Sequence, residues 1–127
     1  MKPVLTILLA LFSFGAFAQT DITPKVSQAI QKGDAASVAA FFMSQVEIEI
    51  DGNESMMSSA QAQATLTQFF AAHPAKSFSI KHQGTSKLDD QYRIGDLTTA
   101  NGNFRVTFFM KKNGDSMQIK QLKIEKT

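Results

Sequence analysis

The sequence predicts one α+β domain, with three helices packed on a curved antiparallel sheet, and three observations point there. Apolar residues recur at helical spacing between Ile22 and Phe42 and again between Ala62 and Phe70. They alternate with polar residues over residues 46–50 and through much of residues 78–126. Two Asn-Gly pairs, Asn101-Gly102 and Asn113-Gly114, divide that second stretch into strands of hairpin length.

The first eighteen residues stand outside this pattern. Lys2 supplies a positive charge, residues 4–14 are almost unbroken apolar sequence, and Ala16-Phe17-Ala18 places small residues at alternate positions. That is the three-part layout of a signal peptide. The apolar stretch falls short of the roughly 20 residues a membrane-spanning helix needs. The expectation is cleavage near Ala18, export to the periplasm or beyond, and no stable membrane anchor. Residues 19–127 then make a single domain, long enough for one core and too short for two. With no cysteine in the chain, neither a disulfide nor thiol chemistry is available. Loss of Lys2 leaves 12 basic residues against 11 acidic ones. Nucleic acid calls for a clustered basic footprint, and this balance provides none. The lysines near the end, Lys111, Lys112, Lys120, Lys123 and Lys126, read as the solvated side of terminal strands.

Thr23-Pro24 reads as a helix cap followed by proline in the first helical position, and Val26, Ala29 and Ile30 continue the buried stripe from Ile22. Gly33 stops this helix, and Asp34 caps a shorter second one whose buried side holds Val38, Phe41 and Phe42. Val46, Ile48 and Ile50 then alternate with Glu47 and Glu49, a strand with one wet face, and Asp51-Gly52-Asn53 turns the chain. A third helix starts at Ser58 or Ser59, carries Ala62, Leu66, Phe69 and Phe70 on one side, and ends before Pro74. Strands over residues 78–86, 92–100, 104–112 and 116–126 complete the domain.

The most informative polar residue is His82, in a row with Phe78, Ile80 and Gly84. If Ser86 pairs with Tyr92, His82 lies opposite Asp96, and a carboxylate there would fix the tautomer of a general base. The next hairpin argues against that pairing. It puts Leu97, Gly95 and Arg93 on the face of Phe104, Val106, Phe108 and Met110, which turns Asp96 away. The two registers agree only through a bulge, expected at Gly95, which would leave Tyr92, Ile94 and Leu97 pointing inward. On this reading His82, Tyr92, Ile94, Phe104, Phe108 and Met110 line a pocket, and His82 with Asp96 is the candidate catalytic pair. The same aromatic and methionine residues also suit a filled core. Arg105 suits either a bidentate contact to an anion or a surface ion pair with Asp96 or Glu125. His73 and His82, the only histidines, sit on different elements, so no metal site and no cofactor are expected.

The element order resembles the nuclear-transport-factor-2-like fold, also described as a cystatin-like cone. More closely, the chain resembles a small family of exported bacterial proteins known as a domain of unknown function. The closer resemblance rests on Gln63-Ala64 and Phe69-Phe70, on residues 78–84 (FSIKHQG), on residues 92–95 (YRIG) and on residues 101–106 (NGNFRV). It implies the cone fold and is silent on activity, because such folds host enzymes, ligand binders and assembly modules. Three functions remain open. The leading one is an exported non-catalytic module holding a small apolar molecule or a peptide in the cone. The others are a hydrolase or isomerase using His82, and a homodimer formed through the outer sheet face around Phe109.

Overall fold

In the computed structural model, which describes residues 21–86 and 90–127, helix α1 spans Thr23–Lys32 and α2 spans Ala35–Ala39. Pro24 sits in the first turn of α1, where its missing N–H costs no hydrogen bond. Gly33 ends that helix at φ 67°, and its N–H caps the carbonyl of Ile30. The Asp34 carboxylate accepts the Ser37 N–H at 3.1 Å and so caps α2. Hydrogen bonding from Ser37 also holds the Asp34 carboxyl below the usual carboxylate range.

Strands β1 (Phe42–Ile50) and β2 (Asn53–Ser58) form a hairpin whose turn residues Asp51 and Gly52 both have positive φ, at 50° and 88°. That is the turn for which Asp-Gly is suited. Helix α3 (Ser59–Ala72) follows, opened by a reciprocal capping box between Ser58 and Gln61. Strands β3 (Ala75–Thr85), β4 (Gln91–Thr99), β5 (Gly102–Asn113) and β6 (Ser116–Lys126) complete a six-stranded sheet in the order β2-β1-β6-β5-β4-β3. The fold is α+β as expected, with two corrections to its layout. The third helix follows a hairpin, so the helices are interleaved with strands. The sheet is mixed, because β1 runs parallel to β6. Strand β2 departs from the sequence expectation: its residues are mostly exposed and carry no alternation, and it is held by pairing with β1 and by Met57, which packs on the core beside α3.

Helix α1 lies against β3, and α3 packs on α2 and β1. Val26, Ile30, Val38, Leu66 and Phe70 descend from the helices onto Leu97, Phe104, Val106, Phe108, Leu122 and Ile124 of the sheet, all buried. At the far end His73 and Asn101 tie the end of α3 to the β4–β5 turn. The Asn101 side-chain N–H donates to the Ala72 carbonyl at 2.8 Å, which leaves its Oδ1 to accept from His73 Nδ1 at 2.7 Å. The His73 ring is held between Phe69 and Phe104, with centroids 4.8 and 4.9 Å away. Both later hairpins turn one residue away from the Asn-Gly expectation. Thr99 pairs with Gly102, leaving Ala100-Asn101 in the turn, and Asn113 pairs with Ser116, leaving Gly114-Asp115.

Candidate functional site

The decisive local feature is the register of β3. It pairs regularly with β4 except at two points, where Lys76 and Lys81 are each an extra residue. These are β-bulges on an edge strand, both carrying lysine, which discourages a further strand from adding there. The bulge expected at Gly95 is therefore at Lys81, and β4 itself runs unbroken against β5 from Gln91 to Thr99.

This shift decides which way the predicted site residues point. Phe78 faces Leu97 inside, and its ring fills the space beside Gly95, where a Cβ would lie 2.5 Å from Phe78 Cζ and 2.7 Å from the Ser79 carbonyl oxygen. Beyond the bulge His82 pairs with Ile94 and emerges on the outer face, exposed. Tyr92, Ile94 and Asp96 share that face, against the inward orientation expected for Tyr92 and Ile94. Phe104, Phe108 and Met110 are on the inner face and essentially fully buried. The six residues expected to line one pocket are thus divided, three to each side of the sheet. His82 and Asp96 lie on the same side but are not opposite each other, since Asp96 pairs with Ser79. Among the described residues no hydrogen bond fixes the His82 tautomer, the role expected of Asp96.

The cone interior leaves almost no free space. The void between Ile30, Val38, Leu66, Phe70, Leu97 and Val106 has a volume of about 10 Å³. That is at the margin for one water molecule and far below the few hundred Å³ of a small-molecule pocket.

Arg93 is the functional-looking residue that sequence reasoning passed over. It is 7% exposed and shares the inner face of the sheet with Phe108, its partner on β5. Its guanidinium donates to the Thr23 hydroxyl at 2.9 Å, the Tyr92 carbonyl at 2.9 Å and the Gln91 side-chain oxygen at 3.1 Å, with Asp21 at 4.0 Å. The contacts to Thr23 and Asp21 fasten the start of α1 to β4, and those to Tyr92 and Gln91 hold the guanidinium against its own strand. Hydrogen bonds from Thr23, with the Arg93 charge adding to them, hold the Asp21 carboxyl below the usual range. The signal in the sequence was an arginine at an inward strand position. A second buried charge, Asp90, pairs with Lys120 of β6.

The roomier feature is outside. A groove of about 320 Å³ runs over β3, β4 and β5, lined by Lys81, His82, Ile94, Asp96 and Arg105. Next to it the Tyr92 and Phe109 rings lie 6.0 Å apart, and the Tyr92 hydroxyl end occupies the space a Cβ on Gly84 would need. Asp96 and Glu125 flank Arg105 in the ladder. Yet Arg105 enters none of the ion pairs among the described residues, and Glu125 pairs with Lys123 at 3.7 Å. Among the described residues no three histidine, aspartate or glutamate side chains converge, so no cation site is assigned.

Comparison with known proteins places this geometry. A family model described as a domain of unknown function (DUF4783) matches residues 23–125. No curated protein matches the chain. A DUF4783 family crystal structure from Bacteroides uniformis is 31% identical with a TM-score of 0.79, covering 84% of this chain and 98% of that one. One from Bacteroides fragilis is 32% identical with a TM-score of 0.79, covering 84% of this chain and all of that one. A structure from Cytophaga hutchinsonii, described as an NTF2-like protein of unknown function, is 9% identical with a TM-score of 0.61. It covers 87% of this chain and 92% of its own, and shows the shared nuclear-transport-factor-2-like fold.

Proposed function

The chain belongs to the DUF4783 family, a domain of unknown function with this fold, and on that footing we propose that it is an exported, non-catalytic binding module whose outer sheet face carries the ligand. One observation supports this above the others. The interior void is about 10 Å³ while the outer groove is about 320 Å³. A small apolar molecule in the cone, the leading expectation from the sequence, would have to displace packed core. A peptide there meets the same obstacle. The hydrolase or isomerase reading has less support, because His82 lines the outer groove exposed and pairs with Ile94, while Asp96 pairs with Ser79. Export rests on the character of residues 1–18, which lie outside the described residues.

The test is a ligand screen by thermal shift and native mass spectrometry, with each hit mapped by amide NMR. Shifts confined to Tyr92, Ile94, Arg105 and Phe109 are the expected result. Hits that instead move Leu66, Leu97 and Phe108 would return the ligand to the cone, and turnover of any hit would make the protein an enzyme.

A second reading, self-association through the same face, is favoured by the apolar strip at its centre. Tyr92, Ile94 and Phe109 are half-buried there with Thr107 between them, and Met56 at the β2 edge is 60% exposed. Light scattering decides it. A monomer at all concentrations would exclude it, and a dimer dissociated by Phe109→Glu would support it.

A further inference from the structure

From the side chains that converge over the β3 bulge, we infer that the outer groove is an oxyanion site, built to take a small carboxylate or phosphate. The inference rests on the outer face being the binding surface and names the chemistry of what binds. Three nitrogen-bearing side chains, Lys81, His82 and Arg105, come from two different strands and line one concavity with a single carboxylate, Asp96. The sequence places these residues far apart. They meet because the bulge adds Lys81 to the strand and delivers His82 to the outer face, beside Ile94 and two residue pairs along the ladder from Asp96 and Arg105.

Arg105 has two carboxylates as ladder neighbours and is bonded to neither, so its planar fork of donors is open to the groove. A guanidinium in that condition suits a bidentate oxyanion, and a lysine ammonium adjacent to it adds a point charge. Ile94 supplies an apolar floor for a short carbon skeleton. The volume of about 320 Å³ matches the lower end of small-molecule sites. Asp96 opposes the anion by like charge, and it also offers an acceptor for a hydroxyl or amine on the ligand.

The experiment is an amide NMR titration of the purified protein with sodium phosphate, acetate and malate at constant ionic strength. The native protein should give saturable shifts at Lys81, His82, Ile94 and Arg105. Tighter binding of acetate and malate than of phosphate would identify a carboxylate, and the reverse order a phosphate. Arg105→Gln and Lys81→Met should each weaken binding about ten- to a hundredfold, the usual loss for a hydrogen bond to a charged group. Lys111→Met, on the same face but outside the groove, should leave binding unchanged. Asp96→Asn should tighten acetate and phosphate, a result that a purely structural Asp96 would not produce. All four positions are exposed, so these variants keep the fold. The inference is overturned if no anion gives saturable shifts, or if Lys111→Met weakens binding as much as Arg105→Gln. Neutral compounds that still bind the outer face in that event would leave the binding-module reading standing.

Discussion

Replacing Leu66 with alanine tests the filled cone directly. Leu66 projects from α3 into the core, is 1% exposed and forms part of the wall of the small interior void. Removing three carbons forfeits about 2.4 kcal/mol of transfer free energy, at about 0.8 kcal/mol each. The residual cavity adds about 24 cal/mol for each Å³ the neighbours fail to fill. A total of about 3–4 kcal/mol follows, within the range for buried leucines. For a two-state domain of this size that corresponds to a fall in melting temperature of about 12–16 °C, at about 4 °C per kcal/mol. Urea denaturation and scanning calorimetry measure both quantities. The informative control is benzene, which enters dry apolar cavities of ring size. It should raise the melting temperature of Leu66→Ala and leave the native protein unchanged. Stabilisation of the native protein by benzene, or a loss below about 1 kcal/mol in the variant, would refute a close-packed cone.

Three further outcomes are expected. Gly95→Ala should cost about 1–3 kcal/mol by overpacking, since its Cβ meets the Ser79 backbone oxygen at 2.7 Å as well as the Phe78 ring. Gly84→Ala should cost less, because the close atoms there all belong to the movable Tyr92 side chain; equal urea midpoints for the two would contradict this. Asn101→Ala should cost about 1–2 kcal/mol through the lost bonds to Ala72 and His73, with a changed His73 imidazole resonance in NMR spectra. Asp21→Asn bears on acid stability. Because the folded Asp21 carboxyl sits below its ordinary value, its contribution is complete above an unfolded pKa of about 3.9 and is lost as pH falls through the lower folded value. The native protein should therefore exceed Asp21→Asn in stability near pH 6, and the gap should close on acidification. Solvent screening at this exposed residue keeps the gap under about 1 kcal/mol. A gap that widened in acid would reverse the assignment.

Sequence alone determined the three helices, most of the strands and the inward row of the sheet, although α2 is shorter than expected: it ends at Ala39, and Phe42, expected on its buried side, opens β1. Their signals are local: Asp34 and Ser58 cap their own helices, and Leu97, Phe104, Val106 and Phe108 are apolar at the period their own strands require. It also carried the family resemblance, through short stretches of identity. What it could not determine was the side of the sheet on which His82, Tyr92 and Ile94 emerge. One extra residue reverses every later side chain on a strand, so that outcome depends on where the bulge falls. Glycine marked Gly95 as the place, but the space there is occupied by the Phe78 ring from the neighbouring strand. Only tertiary packing put the bulge at Lys81, and with it the basic groove on the outside and the aromatic core within.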